Sequence, residues 1–238
     1  MQRLHILEPG RLGYAEAFAL QAKLVQRRQA GAIGDVLILL EHAPVITLGR
    51  NARAENLLRT PTELAAEGIE LAESDRGGDV TFHGPGQLVG YPILDLRACE
   101  RPAFLPARSG RLELGPVDYV RALEEVLIGV AGECGAPSRR LAGLTGVWTA
   151  AEPARKLAAI GVHVARGVTS HGFALNVDAD LAGFERIVPC GIADRGVTSL
   201  ARETGVGWRL AEVGAMVRRH FLQVFARELA DTPFLWDD

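Results

Sequence analysis

Cys190 stands between a proline and a glycine in IVPCGIADRG, a backbone stiffened before the thiol and freed after it. A cysteine used as a small hydrophobe packs inside a helix or strand. At a bend the sulfur is presented, with backbone N–H groups beside it and Asp194 and Arg195 nearby. A structural role is the ordinary expectation for a lone thiol, and the Pro-Cys-Gly turn weakens it. Lys156 is the second residue of note. It opens the apolar run KLAAIGVHV, and it is one of two lysines in a chain with 24 arginines. Codon bias or heat explains most of such a skew, yet a retained lysine can do what arginine cannot, which is lose its proton. Lys23 lies in a helical pattern as a solvated face charge. A lysine at a strand start ordinarily extends to water. Drawn into a cleft, it loses hydration and becomes a base. A thiol needs a helper to become a thiolate, and here His83, His163, His171 or a lysine could serve. Residue chemistry alone leaves that choice open.

The stretch Arg76–Leu96, RGGDVTFHGPGQLVGYPILDL, holds Gly77, Gly78, Gly84, Gly86 and Gly90 within fifteen residues. That density means tight turns or a close approach of backbone to something else. No strand-to-helix GxGxxG and no GK[ST] is present, so neither a dinucleotide fold nor a P-loop is indicated. A glycine-rich hairpin is the plain reading, while Arg76 and His83 on such side-chain-poor backbone favour a site. HGFALNV (171–177) offers Gly172 as room for a ligand and Asn176 as an amide, although an ordinary interior strand explains it too.

Positioning these residues requires short strands and a few helices. Leu4–Leu7 and Val36–Glu41 read as strands around a helix from Tyr14 to Ala30. Thr60, Pro61 and Gly68 mark the start and stop of a short helix. Val80–Phe82 and Leu88–Leu96 read as strands, and Arg97–Gly115 as a loop or insertion. Gly115-Pro116 opens an amphipathic helix that ends near Gly132–Gly135. TGVWTA, RKLAAIGVHVARG, HGFALNV and the approach to Cys190 read as four more strands, and AEVGAMVRRHFLQVFARELA as a closing helix. The expected fold is α/β or α+β, with a mixed, largely antiparallel sheet flanked by helices. One domain over residues 1–238 is expected, with room for a small C-terminal lobe.

Composition excludes several classes. At 238 residues, 48% hydrophobic and net charge −3, the chain lacks the basic excess of a nucleic-acid binder. No apolar run is long enough to span a bilayer, and the N-terminus carries no secretory h-region. Three widely spaced cysteines argue against a disulfide framework and a zinc site, so no metal is expected and the cytoplasm is the default.

Together RGGDVTFHGPGQLVGYPILDL, RKLAAIGVHVARGVTSHGFALNV and IVPCGIADRGVTSL resemble, in order, the blocks of the lipoyl(octanoyl) transferases, and HAPVITLGR fits upstream. The resemblance runs from His42 to Leu200. It implies a fold shared with the biotin and lipoate protein ligases and transfer of an octanoyl group from acyl carrier protein to a lysine of a lipoyl domain. It implies no cofactor. Acceptors would be the lipoyl domains of 2-oxoacid dehydrogenase complexes and the glycine cleavage H protein. It assigns catalysis to Cys190, as the acyl-thioester nucleophile, and Lys156. Substrate binding falls to Arg76, Gly77, Gly78, Asp79, Val80, Thr81, Phe82 and His83, to Ala159, Ile160 and Gly161, and to Gly172, Phe173 and Ala174. Gly77–Gly78 or Cys190–Gly191 would supply the oxyanion N–H groups. Acidic partners would dock on basic surface, with Arg139, Arg140, Arg155 and the arginines of Arg97–Arg111 as candidates. An ATP-dependent lipoate ligase, a non-catalytic acyl-binding module and a hydrolase stay open as alternatives.

Overall fold

Capping signals in the sequence become helix starts. Thr60 accepts from the Glu63 backbone while the Glu63 side chain returns to the Thr60 N–H, and Pro61 follows. The computed structural model describes residues 2–106, 114–189 and 195–231. In chain order it places β1 (Gln2–Leu12), α1 (Tyr14–Gln29), β2 (Asp35–His42), β3 (Val45–Leu48), α2 (Pro61–Ala66), β4 (Glu70–Glu73), β5 (Val80–His83) and β6 (Gln87–Ile93). Then come α3 (Pro116–Glu133), β7 (Ser138–Leu141), β8 (Leu144–Thr149), β9 (Lys156–Ala165), β10 (Val168–Asn176), α4 (Leu200–Thr204), α5 (Leu210–Val224) and β11 (Arg227–Leu229).

Eight strands form one sheet in the order β11-β1-β2-β6-β10-β9-β8-β7, and β4-β3-β5 form a second, smaller one. In the large sheet β1 pairs in parallel with both β11 and β2, and every other neighbour is antiparallel. This is the mixed, largely antiparallel arrangement expected. Strand alternation divides its side chains between two cores. Leu175 and Leu157 face α3 and α5, whose Leu123, Val126, Val217 and Phe221 are fully buried. Val36, Ile38, Val89 and Ala174 face α1 and its Ala17, Leu20 and Leu24. Each such large apolar side chain contributes roughly 1.5–3 kcal/mol on burial. Ile46, Val80 and Phe82 of the small sheet pack with Leu64 of α2 and with Phe184 and Ile187. No described helix is long and apolar enough to cross a membrane.

Three elements depart from the sequence reading. The closing helix ends at Val224, and Ala226 turns through a φ of +48° so that Arg227–Leu229 can add a strand beside β1. The Arg227 guanidinium drives this: it is buried, donates to Asp35 at 3.1 Å and reaches the Cys99 sulfur at 2.9 Å. The approach to Cys190 is not a strand. Leu181–Arg186 is a 3₁₀ turn capped by the Asp180 carboxylate, which accepts from the Ala182 N–H at 2.9 Å, and Ile187 makes only an isolated bridge to Leu57. Ser138–Leu141 (SRRL) forms the edge strand β7, a segment too polar for its pattern to show. Residues 107–113, inside the expected loop, lie outside the described residues.

Candidate functional site

Strand β5 lies over β9 and β10, and the sheet beneath is almost bare. Cross-strand pairing sets Gly161 opposite Gly172 and Ala159 opposite Ala174. The loop Arg76–Asp79 rests on that bare patch. The Gly77 N–H donates to the Val162 carbonyl at 3.0 Å, and a Cβ on Gly161 would stand 2.7 Å from the Gly77 oxygen. On its other side the loop pairs with the segment after β3: the N–H groups of Gly49, Arg50 and Asn51 donate to Asp79, Arg76 and Gly78 carbonyls. The glycines therefore serve close backbone approach, as their density predicts.

Between β5 and the bare strands runs a cavity lined by Arg76, Gly78, Thr81, His83, Tyr14, Tyr91 and His171, with Ala159–Gly161 and Gly172–Ala174 on the sheet side. An adjoining cavity shares Thr81, Ala159 and Ala174 and continues to Gln87, Asn176, Lys156, Phe184, Pro189 and Val197. Lys156 also borders an outer groove with Asp79, Ile160, Gly161, Thr145 and Asn51. It thus stands where the cavity meets the outside, although only 5% of it is exposed. Its Nζ lies 4.8 Å from the centre of the Trp148 ring, and its backbone is held on both sides. The Lys156 N–H donates to the Gly196 carbonyl, and the Thr198 N–H to the Lys156 carbonyl, each at 2.9 Å. The base expected at the start of β9 is therefore drawn in and does not extend to water.

Cys190, Gly191 and Asp194 lie outside the described residues, and the residues that flank them do not. The Leu58 N–H donates to the Arg186 carbonyl, and the Val188 N–H to the Asn56 carbonyl, both at 2.8 Å. Pro189 lines the Lys156 cavity, and the chain is again pinned to Lys156 at Gly196–Thr198.

The expected acyl-binding residues divide by strand alternation. Thr81 and His83 face the cavity, whereas Val80 and Phe82 turn away into the small-sheet core. Phe173 touches the cavity, and its ring fills the space left by Gly90. Asp79 braces the loop: its carboxylate accepts from the Asn56 amide at 2.5 Å and from the N–H groups of Arg53 and Val80. Arg76 is buried and donates to the Thr47 carbonyl and hydroxyl at 2.7 and 2.9 Å. Of the Gly77–Gly78 pair offered as oxyanion donors, the Gly77 N–H is already engaged by the Val162 carbonyl. Among the basic docking candidates Arg108 and Arg111 lie outside the described residues, and the described ones are engaged. Arg139 meets Glu152, Arg140 meets Glu124 and Glu125, Arg155 meets Glu203, Arg97 meets Asp95 and Arg101 meets Asp118.

The inner end of the cavity is polar and tied down; the sequence reading named His83, His163 and His171 there and missed His42, Tyr14, Tyr91 and Asp75. The His42 Nε2 and the Tyr91 hydroxyl are 2.7 Å apart, and the Tyr14 hydroxyl donates to Ser74 at 2.8 Å. His171 holds a φ of +56°, uncommon for a residue with a side chain, and its Nε2 lies 2.6 Å from Asp75. Asp75 also meets His163, so one carboxylate ties β9 and β10 to the start of the glycine loop. Burial works to raise the Asp75 carboxyl, and the two histidines outweigh it and hold it below the usual range.

His83 is the most perturbed histidine. Burial, with the charges of His42 and Arg76 adding to it, pushes it down to about 3. Gln87 donates its amide to Asn176 at 2.8 Å, which leaves its oxygen to accept from His83 Nδ1 at 2.7 Å. His83 is therefore a neutral imidazole with a fixed tautomer. The spacing HGPGQ could have shown this pair. Because its folded value lies below the unfolded one, His83 supports the fold fully above about pH 6.5. That support falls away as pH drops from there toward 3, because the unfolded chain takes up the proton first. At about pH 5 the loss from this residue is about 2 kcal/mol. Urea unfolding at neutral pH and at pH 5 should show His83→Gln losing that much less stability than the parent on acidification. Equal losses would show that His83 does not govern the acid response.

Residues 13–222 match the family model of the lipoyl protein ligase A/B catalytic domain. The chain is 51% identical over 226 residues to the octanoyltransferase of Koribacter versatilis, covering 95% of this chain and 86% of that one. It is 55% identical over 204 residues to the octanoyltransferase of Acidobacterium capsulatum, covering 84% and 80%. Among solved structures it matches a bipartite lipoate protein ligase from Thermoplasma acidophilum with a TM-score of 0.69, covering 98% of this chain and 87% of that one. At 16% identity that likeness establishes the fold alone, and it is the lipoate-ligase fold the sequence motifs imply.

Proposed function

Because the chain belongs to the lipoyl protein ligase A/B catalytic domain family and is an octanoyltransferase within it, we propose that it moves an octanoyl group from acyl carrier protein to lipoyl domains through a thioester on Cys190. Lys156 takes the Cys190 proton, and the thiolate attacks the carbonyl carbon of the donor thioester. The carbon–sulfur bond to the carrier breaks, and the carrier sulfur leaves as a thiol by taking the proton back from Lys156, which is neutral again for the second half. One thioester replaces another, so the step is near thermoneutral and needs no nucleotide. The acceptor lysine, as a free amine, then attacks the acyl-enzyme. Lys156 removes the ammonium proton, and the Cys190 thiolate departs as the amide forms.

One observation carries the reading: Lys156 is buried at the end of a cavity whose wall includes Pro189, the residue before Cys190. The small side chains of Ala159, Ala174, Gly161 and Gly172 leave an apolar floor suited to an alkyl chain. Lipoyl domains of 2-oxoacid dehydrogenase complexes and the glycine cleavage H protein are the proposed acceptors. The reading treats residues 1–238 as one catalytic domain working in the cytoplasm.

Incubation with octanoyl carrier protein and no nucleotide, followed by intact mass measurement, tests it. An octanoyl adduct should form, disappear in Cys190→Ala, and pass to an added lipoyl domain. An adduct that persists in Cys190→Ala overturns the thioester. A requirement for ATP would favour a ligase, bound acyl chain without an adduct a binding module, and release of free octanoate a hydrolase.

A further inference from the structure

Lys156 is seated by more than the strand that carries it. In the register of β8 and β9 it pairs with Trp148, and the Trp148 ring lies 4.8 Å from Nζ. Trp148 is 1% exposed, so this contact is made away from water, where a cation over an indole face is held most strongly. Two residues earlier Gly146 has a φ of +119°, and a Cβ there would stand 2.6 Å from the Ala158 carbonyl and 3.8 Å from the Lys156 Cε. The Gly146 N–H donates at 3.1 Å to Glu124, a fully buried carboxylate of α3 that Arg121 and Arg140 also hold. The lysine stem therefore passes Gly146 at ordinary contact distance, beside backbone that Glu124 fixes and that the missing side chain lets lie against the Ala158 carbonyl. The Trp148 ring lies at the end of the stem.

We propose that Trp148 is a positioning residue for proton transfer, its indole face holding the Lys156 ammonium at the cavity end against the thiolate it creates. The inference rests on the roles given above to Lys156 and Cys190. The described charged groups that face this region have partners of their own. Asp79 serves Asn56 and the Arg53 N–H, Glu124 serves Gly146 and two arginines, Arg155 meets Glu203, and Arg53 meets Glu55 across the outer groove. Trp148 presents its aromatic face to the proton-carrying nitrogen.

The test follows Cys190 alkylation by iodoacetamide against pH, read by peptide mass, with the buried Cys99 and Cys134 as internal controls. Trp148→Leu should raise the midpoint by about one pH unit, the shift expected from losing one desolvated cation–ring contact. Trp148→Phe keeps a weaker ring and should show less than half of that, with octanoyl transfer falling only a few-fold. Lys156→Met should raise the midpoint at least as far as Trp148→Leu, and adding Trp148→Leu to it should change nothing more. An unshifted midpoint in Trp148→Leu, or equal shifts for Phe and Leu, overturns the role of the ring. So does a further shift in the double variant. If Trp148→Leu does not fold, the Phe variant alone decides: a midpoint unchanged from the parent overturns the proposal. A midpoint unmoved by Lys156→Met instead removes the base assignment itself, and the proposal with it.

Discussion

Lys156→Arg should lower octanoyl transfer by about 10²–10⁴-fold, the range that one positioned acid–base group supplies, while the protein stays folded. Arginine keeps the positive charge and can even stack on Trp148, so a purely electrostatic role would survive the change. It does not keep the proton chemistry, because a guanidinium holds its proton throughout the accessible pH range. The proposed cycle needs Lys156 to accept a proton twice, once from the thiol and once from the incoming ammonium. Single-turnover measurement separates the two half-reactions: formation of the adduct on Cys190 and its discharge to a lipoyl domain should both slow. Undiminished turnover, with an unchanged melting temperature, would remove Lys156 from proton transfer and leave it a counter-ion.

How much of this was written in the chain depends on what each segment has to do. The start of α2 was legible because Thr60 satisfies an orphan N–H group locally and Pro61 has none to satisfy. The close seating of the Arg76–Asp79 loop was legible as a surplus of glycine, since a side chain on Gly77 would crowd the Val162 carbonyl. The scarcity of lysine singled out Lys156, and the structure shows that it is buried. What could not be read was partnership across the sequence. Trp148 lay in a strand pattern with nothing to mark its ring as the neighbour of an ammonium eight residues on. Asp75 and His171 are separated by 96 residues, and only the pairing of β9, β10 and the glycine loop brings them together. Val80 and Phe82 belong to the same motif as Thr81 and His83, and a motif does not say which alternate side chains a strand turns toward the cavity. The final strand beside β1 was hidden for a related reason. Its three residues are held by Asp35 across the sheet, a long-range partner that outweighs local helical pattern.

Gly161→Ala should separate activity from stability, and Gly172→Ala should not. At Gly161 the added methyl would stand 2.7 Å from the Gly77 oxygen and 3.3 Å from the Arg76 side chain. Those atoms belong to the loop that roofs the cavity, and relief comes by lifting the loop from β9. Displacements of about 1 Å at such a wall cost on the order of 10²-fold in rate, while the cores on both faces of the sheet stay packed. At Gly172 the methyl would collide with the Gly90 carbonyl and stand 2.6 Å from Pro92 Cδ, both in the neighbouring central strand β6. No loop can move to make room there. The sheet itself must spread, at a cost of about 1–3 kcal/mol or more, and activity should fall together with folded protein. Gly132→Ala supplies the control, because a methyl there meets no atom within 4 Å and lies inside α3. It should be neutral or stabilising by up to about 1 kcal/mol. Urea midpoints and kcat/KM for octanoyl transfer, measured on all three, decide the matter. A Gly161→Ala enzyme with full activity would mean that the seating of the Arg76–Asp79 loop on bare backbone is not what shapes the acyl site.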